Sequence, residues 1–445
     1  MRRYVTRLRL LLGPRGQVVL RTGSWSLVAK MASAANLFLS VPFVLHALGP
    51  AEFGAWATLA SLITFAGFLD LGLGNGTMNL VAAAHGRSDI GEIAAVIQEG
   101  RWTLWKIAAA LTVVIIIAAP LVPWYQLLGL PSGLAESSRW ASLSVLFAIV
   151  LAAPLNLANR VQLGLGQGNL AFRWQAGGQL ITLGLIILLA RNGAPFPIIT
   201  AATVFTPLLG SLANTLNLAR DPTYTAPSGR RPDLARRIRD EGLLFFVLQL
   251  AAALAYSTDL PLISALRGSS DAGTYAIVQY LFSIVPLGLN LVWAPLWPIY
   301  RHALAAGHHA WVALTLRRSV MLATGIASIA GIFIVIAFDW VVRIWLHHSV
   351  TVPISLLAGF AVWNVLNAGG TALAAFLNAA SVIRFQVVIA SIFAALCLSL
   401  KVLMLIKDSI AWLPWVTAVT WILTNAVPLI CFRRRILASV FSRKY

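Results

Sequence analysis

Two carboxylates and one amine interrupt long apolar stretches of this chain, and they are the residues best able to do chemistry there: Asp70, Asp259 and Lys30. An ionised group at mid-bilayer costs about 3 kcal/mol on insertion scales, so a charge retained in such a stretch is a functional candidate. Asp259 directly precedes Leu260-Pro261. Proline removes a backbone donor, frees a carbonyl and permits a kink. A carboxylate in that low-dielectric setting has a raised proton affinity, which suits it to couple H+ or Na+. A structural pair within a helical bundle is the competing reading. Asp70, the second ion-coupling candidate, opens the glycine-rich run Leu71-Gly72-Leu73-Gly74-Asn75-Gly76. Those glycines allow close helix contact or local unwinding. A polar anchor near the cytosolic interface explains Asp70 equally simply.

Other chemistries lack their residues. No G-x-x-x-x-G-K-[ST] occurs, and the glycine run at Asp70 follows no strand, so neither an ATP-driven pump nor a nucleotide cofactor is expected. The pairs His308-His309 and His347-His348 do not define a metal site. Cys397 and Cys431 both lie in apolar segments and imply no disulfide framework. No catalytic residues, metal or cofactor are expected, and the chain does not read as an enzyme.

The elements that must hold these residues follow from composition. The 445 residues are 59% hydrophobic and 11% charged, with mean hydropathy +0.83, against about a quarter charged in a soluble protein. Ile107–Ala135, Asn192–Ala219, Ala272–Tyr300 and Ile344–Ile383 carry no Asp, Glu, Lys or Arg. Runs of about 20 such residues suit bilayer-spanning helices, which satisfy their own backbone where water is absent. The expected fold class is an all-α polytopic membrane protein. Twelve transmembrane helices are expected in two pseudo-symmetric six-helix bundles around a central cavity. Their approximate spans are 24–48, 53–81, 104–123, 140–160, 174–190, 196–219, 243–266, 273–300, 319–338, 352–379, 385–406 and 410–432.

The expected domains are a cytosolic basic arm (1–23), an N-terminal bundle (24–219), a cytosolic linker (220–242), a C-terminal bundle (243–432) and a cytosolic basic tail (433–445). The linker, with three prolines and six arginines, is expected to hold one amphipathic turn and to anchor on anionic lipid. Of the 33 Lys and Arg residues, 26 fall in the arm, alternate loops and tail. Six, including Lys401, are assigned to the opposite loops. That bias places both termini in the cytoplasm. The net charge of +19 is thus distributed between spans and gives no nucleic-acid face.

The halves repeat. At an offset of 219, Pro42, Gly49, Glu52, Gly54, Trp56 and Ala57 fall on Pro261, Gly268, Asp271, Gly273, Tyr275 and Ala276. Lys30 falls on Gln249. Smaller offsets relate Trp124 to Trp340, Leu155-Asn156 to Leu366-Asn367 and Arg173-Trp174-Gln175 to Arg384-Phe385-Gln386. Six helices per repeat, an even number, relate the halves by an axis along the membrane normal.

Three stretches carry a resemblance to a known group. They are Leu48-Gly49-Pro50-Ala51-Glu52-Phe53-Gly54-Ala55-Trp56, Leu69-Asp70-Leu71-Gly72-Leu73-Gly74, and Asp259-Leu260-Pro261-Leu262-Ile263 with Gly268, Gly273 and Tyr275. With the span count, they resemble the multidrug/oligosaccharidyl-lipid/polysaccharide exporter superfamily, and within it the O-antigen and exopolysaccharide (Wzx-type) flippases. The resemblance implies a secondary transporter of the bacterial cytoplasmic (inner) membrane. It would move polyprenyl-pyrophosphate-linked oligosaccharide by alternating access for surface polysaccharide biosynthesis. Membrane lipids, H+ or Na+ and a polysaccharide polymerase are the implied partners. On that reading Lys30 and Gln249 face the cavity from both halves, Lys30 pairing with the pyrophosphate or else snorkelling to headgroups. Asn156 and Asn367 hydrogen-bond sugar hydroxyls, or bond across helices. Arg160 meets a phosphate, or only anchors topology. The alternatives are a multidrug or organic-cation antiporter of the same superfamily and a membrane-embedded polysaccharide polymerase. The short outer loops leave little room for the latter's catalytic residues.

Overall fold

The computed structural model describes residues 13–65, 70, 72–225, 231–293, 296–305, 307–380, 383–407 and 409–431. The described residues form helices and connecting turns, with no strand among them. The long elements are α1 (Gly13–Leu62), α2 (Leu73–Gly86), α3 (Ile90–Ala118), α4 (Ala135–Gly164), α5 (Gly168–Arg191) and α6 (Phe196–Ala219). They continue with α7 (Pro232–Tyr256), α8 (Asp259–Arg267), α9 (Ser269–Trp293) and α10 (Leu296–Ala305). Last come α11 (His309–Leu346), α12 (Ile354–Ala379), α13 (Ile383–Lys407) and α14 (Leu413–Trp421). The arm up to residue 12 and the basic tail lie outside the described residues.

Ten described helical stretches are long and apolar enough to cross a membrane. The difference from the twelve expected has a physical cause. The first two expected spans form one 45-residue stretch, Arg21–Phe65, broken only by Gly49 at φ 72°, ψ 173°. The seventh is divided at Ser257–Thr258 into α7 and α8, each too polar or too short to qualify alone. Counting α1 as two and α7–α8 as one restores twelve crossings. The second span is also shorter than expected. It does not run unbroken to 81, because a turn at Gly72 (φ 76°) precedes a new helix at Leu73.

The outer faces confirm the solvent for which the chain is built. Along α11, Ile329, Ile332, Phe333 and Ile336 are exposed, the last by 81%, while Ala323, Ala327, Gly331 and Phe338 on the same helix are buried. A continuous apolar face of this kind is a liability in water and the resting surface of a helix in lipid.

The chain divides into two compact units: 1–49, 59–126 and 131–249 form the first, and 50–58, 127–130 and 250–445 the second. In the first, α4 packs against α2, α3, α5 and α6. The α5–α6 pair closes through small residues, for a Cβ on Gly210 would stand 2.6 Å from the Trp174 carbonyl. The stretch expected as a polar linker is helical from Pro232, and Leu234 and Ile238, one turn apart, are buried with Leu80, Val96 and Val161. Its approach to α2 is tight: a Cβ on Gly76 would lie 2.1 Å from the Ile238 carbonyl. Here an i, i+4 apolar pair among arginines does the work of a core helix.

In the second unit the repeat-related glycines Gly54 and Gly273 meet. A Cβ on Gly54 would come 1.7 Å from the Ser269 carbonyl, and one on Gly273 would come 3.2 Å from the Gly54 Cα. Their partners Gly49 and Gly268 both have positive φ, 72° and 101°. Tyr275, Phe282 and Phe360 stack behind them, with ring centroids 5.1 and 5.6 Å apart. One assignment from sequence is corrected here: Lys401, counted with the outer loops, lies inside α13 with no exposure at all.

Candidate functional site

The first unit contains a cavity of about 570 Å³. Its floor is a stripe on α4, where Asn156, Asn159 and Arg160 succeed one another at helical spacing two residues after Pro154. Facing them are Ser211 from α6, Gln175 and Gln179 from α5, and Asn36 from α1. Amides hold the stripe in place. Ser211 Oγ donates to Asn156 Oδ1 at 2.7 Å, Asn159 Nδ2 to the same oxygen at 3.1 Å, and Asn214 Nδ2 to Asn159 Oδ1 at 2.6 Å. Behind the wall, buried Gln162 donates to Asn214 Oδ1 at 2.7 Å. Across the cavity Asn36 Nδ2 donates to Gln179 Oε1 at 2.8 Å, while Asn36 Oδ1 is buried without a hydrogen-bond partner. A buried acceptor left open costs about 1–3 kcal/mol, so this oxygen has capacity for a donor supplied by a ligand.

Asp70 is the carboxylate of this cavity. It is 7% exposed, and the Gly72 N–H donates to its Oδ1 at 2.8 Å. Gly74 lies between it and Arg160: a Cβ there would fall 2.6 Å from Asp70 Oδ2 and 3.4 Å from Arg160 Cγ. The arginine attracts the carboxylate electrostatically. The glycine run is thus a turn that lets an acid and a base share one wall.

A second polar cluster lies wholly within the second unit. Lys401 Nζ donates to Asp259 Oδ1 at 2.5 Å and to the Ala255 carbonyl at 2.7 Å. Tyr275 Oη donates to Asp259 Oδ2 at 2.6 Å. All three side chains are buried. At the break at Ser257–Thr258 the carbonyls of the last turn of α7 take varied donors: Ala253 accepts from the Ser257 N–H at 2.8 Å, Leu254 from Thr258 Oγ1 at 2.9 Å, and Ala255 from the Lys401 ammonium.

No protein-family model matches the chain, and no curated protein matches it. Solved structures do, along nearly its whole length. A multidrug resistance MATE family transporter of the MOP superfamily, in its inward-facing conformation, superposes with TM-score 0.75 at 13% identity over 94% of this chain and 99% of that one. The outward-facing conformation of such a transporter gives 0.69 at 15% identity, over 98% and 99%. A MOP superfamily transporter from Pyrococcus furiosus, described as having reversed binding-pocket polarity, gives 0.68 at 15% identity, over 97% and 98%. The fold is that of the MOP superfamily.

On this MOP fold the candidates from sequence separate. Asn156, Arg160 and Asp70 line the first unit's cavity together. Lys30 and Gln249 are half-buried and do not line it. Asn367 is half-buried on α12 of the second unit, its carbonyl accepting from Thr371 Oγ1 at 2.8 Å. Asp259 is in the second unit with Lys401. Sequence reasoning missed Asn36, Asn159, Gln162, Gln175, Gln179 and Asn214. A signal was present: Asn156, Asn159 and Gln162 recur every three residues, as do Ser211 and Asn214, which marks one polar stripe on each of two helices. On the α4 stripe, matching repeats selected Asn156 alone, because Asn159 and Gln162 have no polar counterpart at the same offset.

Proposed function

We propose that this chain is a flippase that carries polyprenyl-pyrophosphate-linked oligosaccharide across the bacterial cytoplasmic membrane by alternating access, for assembly of a surface polysaccharide. One observation carries the reading: among the described residues, seven uncharged polar side chains and Arg160 line the cavity, with a single carboxylate, Asp70, already engaged by the Gly72 N–H. Amides offer donors and acceptors in pairs, which matches the hydroxyls of a sugar. A guanidinium matches phosphate oxygens in a planar, bidentate fashion. The shared fold supports transport as the activity, since the superposed proteins are described as transporters in inward- and outward-facing conformations.

A multidrug or organic-cation antiporter is the second reading, favoured by the multidrug description of the same neighbours. Such a cargo wants carboxylates free to meet a cation, and the described lining supplies only the shielded Asp70. In our reading Asp70 couples H+ or Na+ to cargo movement beside Arg160. Both termini lie in the cytoplasm, and a polysaccharide polymerase takes up the delivered unit.

The deciding experiment locates the lipid-linked intermediate in a strain lacking the gene. Accumulation on the cytoplasmic leaflet, with loss of one surface glycan, is the expected outcome. Normal surface glycan in a strain with no second flippase, together with raised sensitivity to cationic dyes, favours the antiporter instead.

A further inference from the structure

The Asp259 cluster has the make-up of an alkali-cation site. It has one carboxylate oxygen, one backbone carbonyl released by a helix break, and a surrounding wall that keeps water away. Oxygen donors of those two kinds are what hard cations take. The position between Asp259 Oδ1 and the Ala255 carbonyl is, however, already filled by a cation, the Lys401 ammonium, at 2.5 and 2.7 Å. We infer that Lys401 is a resident cation tethered in a monovalent-cation site, so that Asp259 takes no mobile Na+ or H+ while Lys401 is present.

Four observations converge on this assignment. Lys401 is fully buried, whereas a lysine six residues from the end of a spanning helix ordinarily extends to the interface. The second Asp259 oxygen is held by the Tyr275 hydroxyl, which fixes the carboxylate toward the ammonium. Cys397, one turn before Lys401 on α13, is buried with Ala251, Ala255, Phe393 and Ala394, so an apolar cluster adjoins the pair. Finally, the break at Ser257–Thr258 lets the Ala255 carbonyl and Asp259 Oδ1 both accept from the one ammonium. The carbonyl is therefore directed by the fold at a cation rather than at the helix.

The inference concerns the second unit alone and does not depend on the cargo. It removes Asp259 from the carboxylates that could hold a mobile coupling ion. The test measures thermal unfolding of the purified full chain in nanodiscs, titrated with NaCl, LiCl or choline chloride at constant ionic strength. Wild type is expected to show no sodium response that depends on Asp259. Lys401→Ala, which leaves the carboxylate and carbonyl without their cation, is expected to melt lower in choline and to recover saturably with Na+ or Li+. The double variant Lys401→Ala/Asp259→Asn is expected to lose that recovery. If Lys401→Ala can be isolated only in sodium, the inference stands. If Lys401→Ala fails in every salt while the double variant folds, or if it responds to Na+ no more than the double variant does, the position is not a cation site and the inference falls. A saturable sodium response in wild type that Asp259→Asn removes also overturns it, because the site would then be open. Should neither substituted protein be isolated, the wild-type titration is read against Asp259→Asn: equal melting in the three salts, or a sodium response that Asp259→Asn leaves intact, upholds the inference, and a response that Asp259→Asn removes overturns it.

Discussion

At the scale of single residues, burial decides what a charge can do. Asp259 and Lys401 have side-chain exposures of 9% and 0% and share a hydrogen bond as well as opposite charge. Removing one member of such a pair leaves an uncompensated charge in a dry site, a loss of about 3–5 kcal/mol. Asp259→Asn is accordingly expected to lower the unfolding midpoint strongly, and Lys401→Met added to it is expected to restore most of the loss. Equal midpoints for Asp259→Asn and wild type would show that the ammonium finds another partner. Arg160 presents the contrasting case. It lies on a cavity wall, half-buried, beside a carboxylate that has a backbone donor of its own. On the proposed flippase function, Arg160→Gln is expected to abolish delivery of the lipid-linked unit, measured by the amount reaching the outer leaflet, while the melting temperature changes little. Transport at the wild-type rate would remove the phosphate contact from the mechanism.

At the scale of helices, glycine placement fixes how closely backbones can approach. Gly54 and Gly49 were read alike from the repeat, yet their surroundings differ. A Cβ at Gly54 would overlap the Ser269 carbonyl at 1.7 Å, and backbone cannot yield as a side chain does. Gly49 has open space but a φ of 72°. Gly54→Ala is expected to cost about 3 kcal/mol as an overpacked contact, and Gly49→Ala about 1–2 kcal/mol from a backbone region open essentially to glycine alone. Comparing the two by denaturant unfolding in detergent separates the mechanisms, and a larger loss at Gly49 would contradict the geometry. The amide stripe of α4 belongs to this scale too. Gln162 and Asn214 donate to each other at 2.7 and 3.0 Å between α4 and α6, so the cavity wall is a braced structure. Asn214→Leu is expected to destabilise by about 1–3 kcal/mol, because it orphans amides on the neighbouring helix. An unchanged unfolding midpoint would mean that those amides find new partners.

At the scale of the whole molecule, charge bias and hydrophobic length make a topology prediction. With twelve crossings and most Lys and Arg on one side, single cysteines introduced near residues 5 and 440, with Cys431 replaced, are expected to react with a membrane-impermeant maleimide only after permeabilisation. Labelling of intact cells at either end would reverse the assigned orientation or change the crossing count. The partition of the chain adds a point that linear domain boundaries miss. Residues 50–58 group with the second unit and 232–249 with the first, so each unit takes in a piece of the opposite repeat.

Composition and periodicity by themselves determined that this is a helical, multi-pass membrane protein with an internal repeat. Those properties depend on the solvent and on chain-local spacing: about 20 apolar residues suffice to place a helix in lipid whatever it touches. Asn156, Arg160 and Asp70 were also legible as polar residues in apolar surroundings, since the desolvation penalty is local too. Which polar groups meet was decided only by tertiary structure. Asp259 and Lys401 are 142 residues apart, and no spacing rule links them. A lysine near the end of a span looks the same in sequence whether it reaches outward for water or inward for a carboxylate. Only the position of the partner helix, and of the break that turns its carbonyl toward the amine, selects between the two.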